Sequence, residues 1–545
     1  MACGHRSSAS PDVAPRALPP PPTPTDVLLT AHFGQPRTTV DALSQVVGSR
    51  IPFELGLALV LGVDSTVLAA SDTSQPIDFL VTGTAEHPEV VFALTPGPAN
   101  QFRSTLGNRF RLVRVETLGE RLDPQNAGAG AVRGTRCAIV GVPGPVPSRI
   151  VCSSHLESLE RVGRYAAYQS QRLSGDHHDV IADVDGATAR TAIVPMLQHA
   201  IDENTQSLAA SAADERRRHD RAPDLGDPEA ALGTFTTLAR SLVHELDDVQ
   251  HLTMRASVAA EAVTVESDLT LDAHGHGMFA GDALSRVGVD LAHPLAMRLP
   301  TDAFAAFASH TQHVDRNALV DAVASSVIGV VGTRVADPEA ARRDVDALFA
   351  QLGDETAASI SHEPDGGFEV TALFTQRDDG TAARAALATL AAAPWLRNAH
   401  FGDTGIRVAL AQDVLTLRAI EAHAAPHAHA PAATDAGTSP SAPEAPRVVS
   451  ISVSGNVLAI VVGAQSRVPA AEVVSPAALT GTTGSFVAGA DLSGLVNGGG
   501  ADERAVLHAS YSAERTGERV VGHAQMVLPP AMIRSAMHGA LPGGR

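Results

Sequence analysis

The segment from Cys137 to Cys152 constrains the fold of this chain more than any other, because it predicts two strands that face each other at a fixed register. Two apolar runs flank a centre at Gly144 and Pro145, a pattern typical of strand, turn and strand. Folding the segment about this centre places Cys137 directly opposite Cys152. Opposed residues of an antiparallel pair have Cα atoms about 4.5–5.5 Å apart, a spacing that a disulfide can bridge.

Two interpretations of this cysteine pair are open from the sequence. A disulfide between Cys137 and Cys152 requires an oxidising compartment, and therefore an exported protein. Two reduced cysteines in an apolar core would carry no such requirement. We predict the disulfide, because the pattern around the turn brings the two residues to the same level of the hairpin.

The third cysteine, Cys3, begins a segment typical of the mature end of a bacterial lipoprotein. Ala2 precedes it, Gly4 follows it, and the chain up to residue 26 is rich in Ser, Ala, Pro and Thr. We predict that Cys3 carries a lipid anchor and that residues 1–26 form a flexible tether. The charged start and apolar stretch of a secretory signal do not precede Cys3. A cytosolic protein with an unmodified Cys3 is therefore the alternative.

Composition excludes several classes of activity and partner. All 40 basic residues are arginines, so the chain cannot form a lysine Schiff base, hold pyridoxal phosphate in the usual way or complete a P-loop. The net charge of −20 argues against a nucleic-acid partner, because such binding depends on cationic neutralisation of phosphates. Aromatic residues make up only 3%, so the cores must consist of Ala, Val and Leu. No apolar run reaches the roughly 20 residues of a membrane-spanning helix.

Strand alternation and helix start signals predict an α+β fold, in which helices pack on antiparallel sheets. A unit of two strands followed by a short helix recurs at residues 137–167, 251–310 and 505–538. This recurrence predicts an internal duplication of a hairpin-then-helix unit. In particular, residues 295–307 and 525–533 both read as a strand that runs through proline into a helix.

Composition shifts predict five segments along the chain. The first is the tether, and the second is an α+β domain. A second α+β block follows, then a linker rich in Ala, Pro and His. The last segment contains strands and a helix that could pack with the second block. In order, the segments are 1–26, 27–330, 331–423, 424–446 and 447–545.

Local signals predict individual elements within these segments. Residues 27–33 read as a strand, with a helix beginning at Pro36. Ser154 and Glu157 have the spacing of a capping box, which predicts a helix directly after the cysteine hairpin. Three further helices are predicted at 302–311, 315–330 and 337–352, the last after an Asp-Pro start signal.

The chain also resembles a group of bacterial proteins in its overall pattern. The pattern consists of the opening strand–Pro–helix unit, the hairpin that ends at residues 149–152, the strands near 251–273 and the closing strand–Pro–helix unit. In these features the chain resembles proteins of unknown function from myxobacteria and similar GC-rich bacteria, many of which look like exported lipoproteins. The resemblance covers most of the chain loosely and includes no catalytic motif. It implies export and a lipid anchor, and it implies no activity.

Histidines provide weak candidates for metal ligands. His244, Asp248 and His251 have helical i, i+4, i+7 spacing, which could present two imidazoles and a carboxylate on one face. The residues after Asp248 read as a strand, however, and this would break the face. His274 and His276 flank a glycine at the end of a strand, where a polar hairpin tip explains them better. We therefore predict no metal site and no cofactor.

Catalytic motifs give no assignment either. The sequence contains no Gly-x-Ser-x-Gly elbow and no Cys-x-x-Cys pair. The glycines near residues 128–134 have the wrong spacing for a dinucleotide fingerprint and follow no clear strand. Adjacent carboxylates read as surface or cap residues, because an acid–base pair needs separation across a substrate. No catalytic residue is predicted.

The sequence therefore predicts location better than function. We expect an exported protein tethered by lipid to the periplasmic face of the inner or outer membrane, or to the cell surface. Its expected role is non-enzymatic binding or scaffolding, with an apolar small molecule or another envelope protein as the partner. The alternative is an envelope hydrolase with dispersed catalytic residues. An apolar pocket without converging His, Asp or Ser would favour a carrier, whereas Ser or Asp bonded to a buried His in a cleft would favour the hydrolase.

Overall fold

A computed structural model gives the fold of the chain. It divides the chain into two compact units. Unit 1 comprises Met1–Gly281, Thr516–His523 and Leu528–Arg545, and unit 2 comprises Asp282–Arg515 and Ala524–Val527. The residues that the structure describes are 21–47, 63–83, 88–125, 135–142, 148–172, 178–188, 190–191, 194–195, 198–199, 201–203, 205–206, 248–275, 278–312, 338–363, 367–398, 400–401, 404–419, 448–463, 476–493 and 505–534.

Unit 1 combines strands with helices that follow or precede them along the chain. Its strands are β1 (Val27–Phe33), β2 (Ile77–Gly83), β3 (Pro88–Leu94), β4 (Phe110–Val115), β5 (Gly119–Pro124), β6 (Arg136–Gly141), β7 (Ser148–Ser153), β8 (Val180–Asp185), β9 (Val249–Val258) and β10 (Val263–Asp272). Its helices are α1 (Pro36–Val47), α2 (Ser65–Ala69), α3 (Ala99–Gly107) and α4 (Leu156–Arg172). A single helical turn at Gly186–Thr188 follows β8.

The strands of unit 1 form an antiparallel sheet. Their order, read from the pairings, is β4-β5-β6-β7-β3-β2-β1-β8-β9-β10. Strand β1 therefore lies in the interior of the sheet, between β2 and β8, although these neighbours are distant in sequence. The expected strand at 27–33 and helix from Pro36 are both confirmed.

Helices cover both faces of the central strands of unit 1. Leu159 and Val162 of α4 are fully buried against one face, where they meet Val91 and Val151. On the other face, apolar residues of α2 and α3 pack with the aromatic ring of Phe92. Because both faces are covered, β7 reads as a continuous buried run rather than an alternating one. The predicted helix after Ser154 corresponds to α4 and is confirmed.

Unit 2, like unit 1, combines strands with helices. Helix α5 (Met278–Ser285) leads into it, and a 3-10 helix follows at Pro294–Arg298. The remaining helices are α6 (Pro338–Leu348), α7 (Thr381–Ala392), α8 (Pro394–Arg397) and a 3-10 helix at Ala477–Leu479. The strands are β11 (Ala305–His310), β12 (Leu352–His362), β13 (Phe368–Gln376), β14 (His400–Phe401), β15 (Thr404–Ala411), β16 (Val414–Ala419), β17 (Val448–Ser454), β18 (Val457–Gly463), β19 (Phe486–Asp491) and β20 (Val506–Thr516), and β21 (Arg519–Leu528) closes the strand series.

The strand order of unit 2 repeats that of unit 1. Antiparallel pairings give β15-β16-β17-β18-β13-β12-β11-β19-β20. Every strand of unit 1 except β10 thus has a counterpart at the same place in the strand order of unit 2. In both sheets the first strand lies between the second strand and a strand late in the series, which is β8 in unit 1 and β19 in unit 2. The α+β class with antiparallel sheets and packed helices is confirmed.

The main core of unit 2 lies where α6, α7 and α8 cover one face of its sheet. Leu387 and Leu390 of α7 pack with Phe349 and with strand residues such as Leu415. The indole of Trp395 is buried here, and its Nε1 donates a hydrogen bond to Asp344 Oδ2 at 2.7 Å. The opposite face packs against the two 3-10 helices through Leu295, Leu299 and Leu479 with small strand residues.

One predicted helix is wrong. Residues 302–311 are not helical; β11 occupies Ala305–His310, and the segment 295–307 therefore does not run from strand into helix. The local sequence is rich in alanine and favours a helix, but β11 is paired on both sides, with β12 and with β19. Tertiary pairing outweighs helix propensity, which is worth only a few tenths of a kcal/mol per residue. The predicted helix at 337–352 is confirmed as α6, and that at 315–330 lies outside the described residues.

The register of the cysteine hairpin agrees with the sequence. Cys137 in β6 pairs directly with Cys152 in β7, and the two sulfur atoms are 2.11 Å apart, at disulfide bonding distance. Both residues are buried in the core that contains Phe92. The cross-link therefore joins neighbouring strands inside the packed core.

Loss of this cross-link should destabilise unit 1. A disulfide that closes a loop of 15 residues restricts the unfolded chain and contributes about 3 kcal/mol to the free energy of unfolding. Urea unfolding of the wild type should therefore shift to lower urea when a reductant is added. The double variant Cys137→Ala/Cys152→Ala should unfold like the reduced wild type and ignore the reductant. Two reactive thiols in denatured, unreduced, exported protein would contradict the disulfide.

Candidate functional site

Unit 1 contains a cavity of about 510 Å³ beside the start of β1. This volume lies within the usual range for small-molecule sites, about 300–1,000 Å³. Apolar side chains from three elements form part of its lining: Val27, Leu28, Leu29, Tyr165 and Ala187. The remaining lining residues are threonines, one proline and three ionisable residues: Thr23, Pro24, Thr25, Thr30, Thr188, Thr191, Asp183, Asp185 and His251.

The ionisable residues come from neighbouring strands at matched register. Asp183 and Asp185 alternate along β8 and so point to the same face of the sheet. Asp185 pairs with His251 of β9, and Asp183 pairs with Thr253. Thr253 Oγ1 donates a hydrogen bond to Asp183 Oδ1 at 2.7 Å, and His251 Nε2 lies 3.7 Å from the same oxygen. The arrangement presents two carboxylates and an imidazole to one part of the cavity.

The helical turn after β8 fixes one wall of the cavity. Asp185 Oδ1 accepts hydrogen bonds from the backbone N–H groups of Ala187 at 2.9 Å and Thr188 at 3.3 Å, and so caps the turn. Gly186 is required at this point, because a Cβ there would lie 2.0 Å from the carbonyl oxygen of Val249. The turn therefore packs directly on the backbone of β9.

The structure separates the candidate metal ligands. His251 lines the cavity, whereas the backbone N–H of His274 donates to Asp272 Oδ1 at 2.9 Å. Asp248 lies beside Gly275, where its Oδ2 is 2.6 Å from the position of an added Cβ. His244 and His276 lie outside the described residues, as do Cys3 and the segment 424–446. Within the described part of the chain, no group of three or more His, Cys, Asp or Glu side chains could hold a metal ion.

A buried polar network crosses the sheet of unit 1 away from the cavity lining. His32 of β1 pairs directly with Asp78 of β2, and His32 Nδ1 is 2.6 Å from Asp78 Oδ1. Arg149 of β7 donates to Asp78 Oδ2 at 2.6 Å and to the carbonyl oxygen of Ala93 at 2.8 Å. All three charged or ionisable side chains are buried. The network holds four strands together, because its members come from β1, β2, β3 and β7.

Unit 2 has a histidine and a carboxylate at the corresponding place. His310 of β11 pairs directly with Glu355 of β12, as His32 does with Asp78. Glu355 is buried, and its Oε1 accepts a hydrogen bond from the backbone N–H of Leu295 at 2.8 Å. Burial raises the pKa of Glu355, and the hydrogen bond from Leu295 only partly offsets this effect.

Further ionisable groups of unit 2 are shifted for the same physical reason. Burial lowers the pKa of His293, whose Nε2 lies 2.8 Å from the carbonyl oxygen of Gly484. Burial also raises the pKa of Tyr511 to about 12, with a smaller contribution from Asp282. Arg286 binds Asp282 through two hydrogen bonds of 2.9 and 3.0 Å, and its guanidinium lies over the ring of Tyr511. Desolvation thus favours the neutral forms of these groups.

Sequence reasoning missed most of these residues. Of the cavity and the two histidine–carboxylate pairs, it singled out only His251. His32 and Asp78 are 46 residues apart in the chain and acquire their relationship only through the pairing of β1 with β2. Spacing rules within one helix or hairpin cannot detect such a pair. The only usable signal was the alternation of Asp183 and Asp185 along a short strand.

Comparisons with known proteins leave the family open. No protein-family model and no curated protein matches the chain. Two solved structures of TP0453, crystal forms III and I, are 7% and 9% identical to it. Each covers 49% of this chain and 85% or 84% of its own, with a TM-score of 0.22 in both cases. A similarity at this level carries no argument about fold or function. Within the described residues, no helix combines the length and apolar character of a membrane span.

The buried carboxyl of Glu355 predicts a specific dependence of stability on pH. The unfolded chain ionises this group near its ordinary pKa of 4.5, whereas the folded chain keeps its proton to higher pH. The free energy of unfolding should therefore fall as pH rises from that value through the raised pKa, by about 1.4 kcal/mol for each unit of difference. Glu355→Gln keeps the acceptor for Leu295 and removes the ionisation. It should match the wild type in acid and exceed it in stability at neutral pH.

Urea unfolding across this pH range tests the expectation. Glu339→Gln, at an exposed position in α6, is the matched control and should show no gain at neutral pH. A stability difference between Glu355→Gln and wild type that stays constant at all pH values would contradict burial as the cause.

Proposed function

We propose that this chain is a tethered binding protein of the bacterial cell envelope, and that unit 1 holds a small amphipathic molecule. The observation that carries the proposal is the cavity of about 510 Å³, which combines an apolar wall with a carboxylate and imidazole wall. This differs from the purely apolar ligand expected from composition, because Asp183, Asp185 and His251 converge on the cavity. A ligand binds well only if an apolar group contacts the first wall and a polar group contacts the second.

The apolar part of the ligand would contact the start of β1 and the middle of α4. Val27 and Tyr165 are buried, so their surfaces that face the cavity are part of a packed wall. Covering apolar surface contributes about 25 cal/mol per Å², and a modest hydrocarbon group could therefore supply several kcal/mol. This wall gives affinity with little geometric selectivity.

The polar part of the ligand would be a hydrogen-bond donor or a cation. Carboxylates accept hydrogen bonds and cannot donate them when ionised. Asp185 already accepts two backbone hydrogen bonds, which leaves Asp183 and His251 as the principal partners for a ligand. An ammonium or hydroxyl group fits this wall better than an anion does.

Binding fits the local geometry better than hydrolysis. A hydrolase of the triad type would need an accessible nucleophile whose proton passes to a histidine. The hydroxyl of Thr253 donates to Asp183 and lies 3.3 Å from His251 Nδ1, but Thr253 is buried in the sheet and does not line the cavity. The buried pair His32 and Asp78 does not line this cavity. The polar groups at the cavity are therefore arranged to hold a ligand.

Export and tethering are part of the same proposal. The pairing of Cys137 with Cys152 at bonding distance supports an oxidising compartment, where disulfides persist. Acylation of Cys3 would then keep the folded body at the periplasmic face of a membrane or at the cell surface. A non-enzymatic role in binding or scaffolding follows from the tether together with the cavity.

We also propose that the two units arose by duplication. The repeat is longer than the hairpin and helix expected from the sequence, since the common strand order extends over nine paired strands of unit 2. The direct pairing of His32 with Asp78 recurs as His310 with Glu355. Independent origins would not require matching residues at a matching register.

Filling the cavity should weaken binding without disturbing the fold. Ala187 lines the cavity at an exposed position, so Ala187→Phe should occupy its volume. We expect the fluorescent apolar amine N-phenyl-1-naphthylamine to bind the wild type saturably and the variant at least about tenfold more weakly, a difference of about 1.4 kcal/mol. Ala388→Phe, at an exposed position of α7, is the matched control and should bind like the wild type. Equal affinities for all three proteins would contradict a site in this cavity.

The anchor is tested by metabolic labelling. Cells that express the protein with a native signal should incorporate labelled palmitate into it, because acylation requires the thiol of Cys3. Cys3→Ser should lose the label, whereas Cys137→Ser/Cys152→Ser should retain it. Label that persists in Cys3→Ser would show that the anchor is elsewhere.

A further inference from the structure

The two units can be compared residue by residue through their strand registers. His32 of β1 lies opposite Ile181 of β8. In unit 2, Phe486 lies opposite Ser309, and the next residue, His310, donates its backbone N–H to the carbonyl of Ser485. Superposing the two histidines therefore makes Ser485 the counterpart of Ile181.

Counting four residues further along the next strand of each unit identifies a second pair of equivalent histidines. Four residues beyond Ile181 is Asp185, which lies opposite His251 of β9. Four residues beyond Ser485 is Gly489, which lies opposite His508 of β20. His251 and His508 are therefore counterparts, and each lines a cavity of its own unit.

Neighbouring positions support this superposition. It places Thr253 on Ser510, so that both strands have a hydroxyl two residues after the histidine, and of the two hydroxyls only that of Ser510 lines a cavity. In the strands on the other side of the first strand, the superposition matches Phe92 of unit 1 with Phe374 of unit 2. Both rings belong to the core beneath the helices of their unit. The equivalence therefore holds on both sides of the first strand.

The cavity at His508 is small and rich in hydrogen-bond donors. Its volume is about 120 Å³, which is the volume that roughly four water molecules occupy in liquid water. Its polar lining comes from the loop before β19 and from β20 and β21: Thr480, Thr482, Thr483, His508, Ser510 and Gln525. Gly481 allows the loop to turn here, because its φ of +83° is in the left-handed region.

We infer that unit 2 carries a second ligand site at His508, which binds a small oxyanion such as a carboxylate or a phosphate. Among the described residues, His508 Nδ1 is buried and has no hydrogen-bond partner. Hydroxyl, amide and imidazole groups can all donate to anionic oxygens. The residues that line this cavity include no carboxylate to repel an anion.

The strands of the two units differ in charge at two positions of matching register, and in unit 2 neither position lines the cavity. Where unit 1 has Asp183 and Asp185, unit 2 has Val487 and Gly489. The carboxylates that favour a donor or cation in unit 1 are thus absent from their counterparts in unit 2. The inference depends on the proposed duplication for the location of the site, and on the lining residues of unit 2 for its preference.

The probes are sodium acetate and inorganic phosphate, added to the full chain at constant ionic strength in sodium chloride. Saturation-transfer NMR follows acetate, and the ³¹P linewidth follows phosphate. We expect saturable binding of at least one of them, and the two arms distinguish a carboxylate from a phosphate ligand. Failure of both anions to bind saturably would overturn the inference.

Variants locate the binding. His508→Leu should weaken binding at least tenfold, and Ser510→Ala should weaken it several-fold with less risk to the fold. His251→Leu, at the matched position of unit 1, should bind the anion like the wild type. Unchanged anion affinity in both His508→Leu and Ser510→Ala would overturn the inference, as would an equal loss in His251→Leu. Binding of N-phenyl-1-naphthylamine by His508→Leu reports on unit 1 separately, so failure of one site is distinguishable from failure of the other.

Discussion

Pairing between strands that are distant in sequence is the constraint on which both units depend. In each unit the first strand lies in the sheet interior, where it must find its neighbours on both sides before the cores can close. A one-residue slip would turn every buried side chain to the wrong face. A histidine lies directly opposite a carboxylate in both ladders: His32 contacts Asp78 at 2.6 Å, whereas His310 lies opposite Glu355 and its Nε2 is 3.2 Å from Asp354 Oδ2.

The cavities follow from this register. They lie on strands beyond the central pair, where the sheet of unit 1 presents Asp183, Asp185 and His251, and that of unit 2 presents His508 and Ser510. A fixed ladder places these side chains at the same level without any local motif. Under the proposed duplication, the strand of unit 2 has valine and glycine where that of unit 1 has two carboxylates.

The sequence predicted elements that have local signals, and it did not predict contacts between distant parts of the chain. The hairpin of Cys137 and Cys152, the helix from Pro36 and the helix after Ser154 carry local sequence signals, and all were predicted. Strand β1 was predicted from its own sequence, although its partners β2 and β8 are distant in the chain. Strand β11 was mistaken for a helix because its alanines favour one, and only pairing on both sides overrides that preference. The cavity residues could not be predicted, because they meet through strands separated by long stretches of chain. In the sequence His251 was a weak candidate for a metal ligand, and in the structure its neighbours are Asp183 and Thr253.

Native mass spectrometry of the full chain, isolated from its own host, tests the central claim most directly. A binding protein of the kind proposed should carry a discrete additional mass of a few hundred daltons that is lost on denaturation. That mass should belong to a molecule with an apolar body and a hydrogen-bond-donating or cationic head. Recovery of the bare polypeptide alone, or of a complex only with another protein chain, would contradict the account.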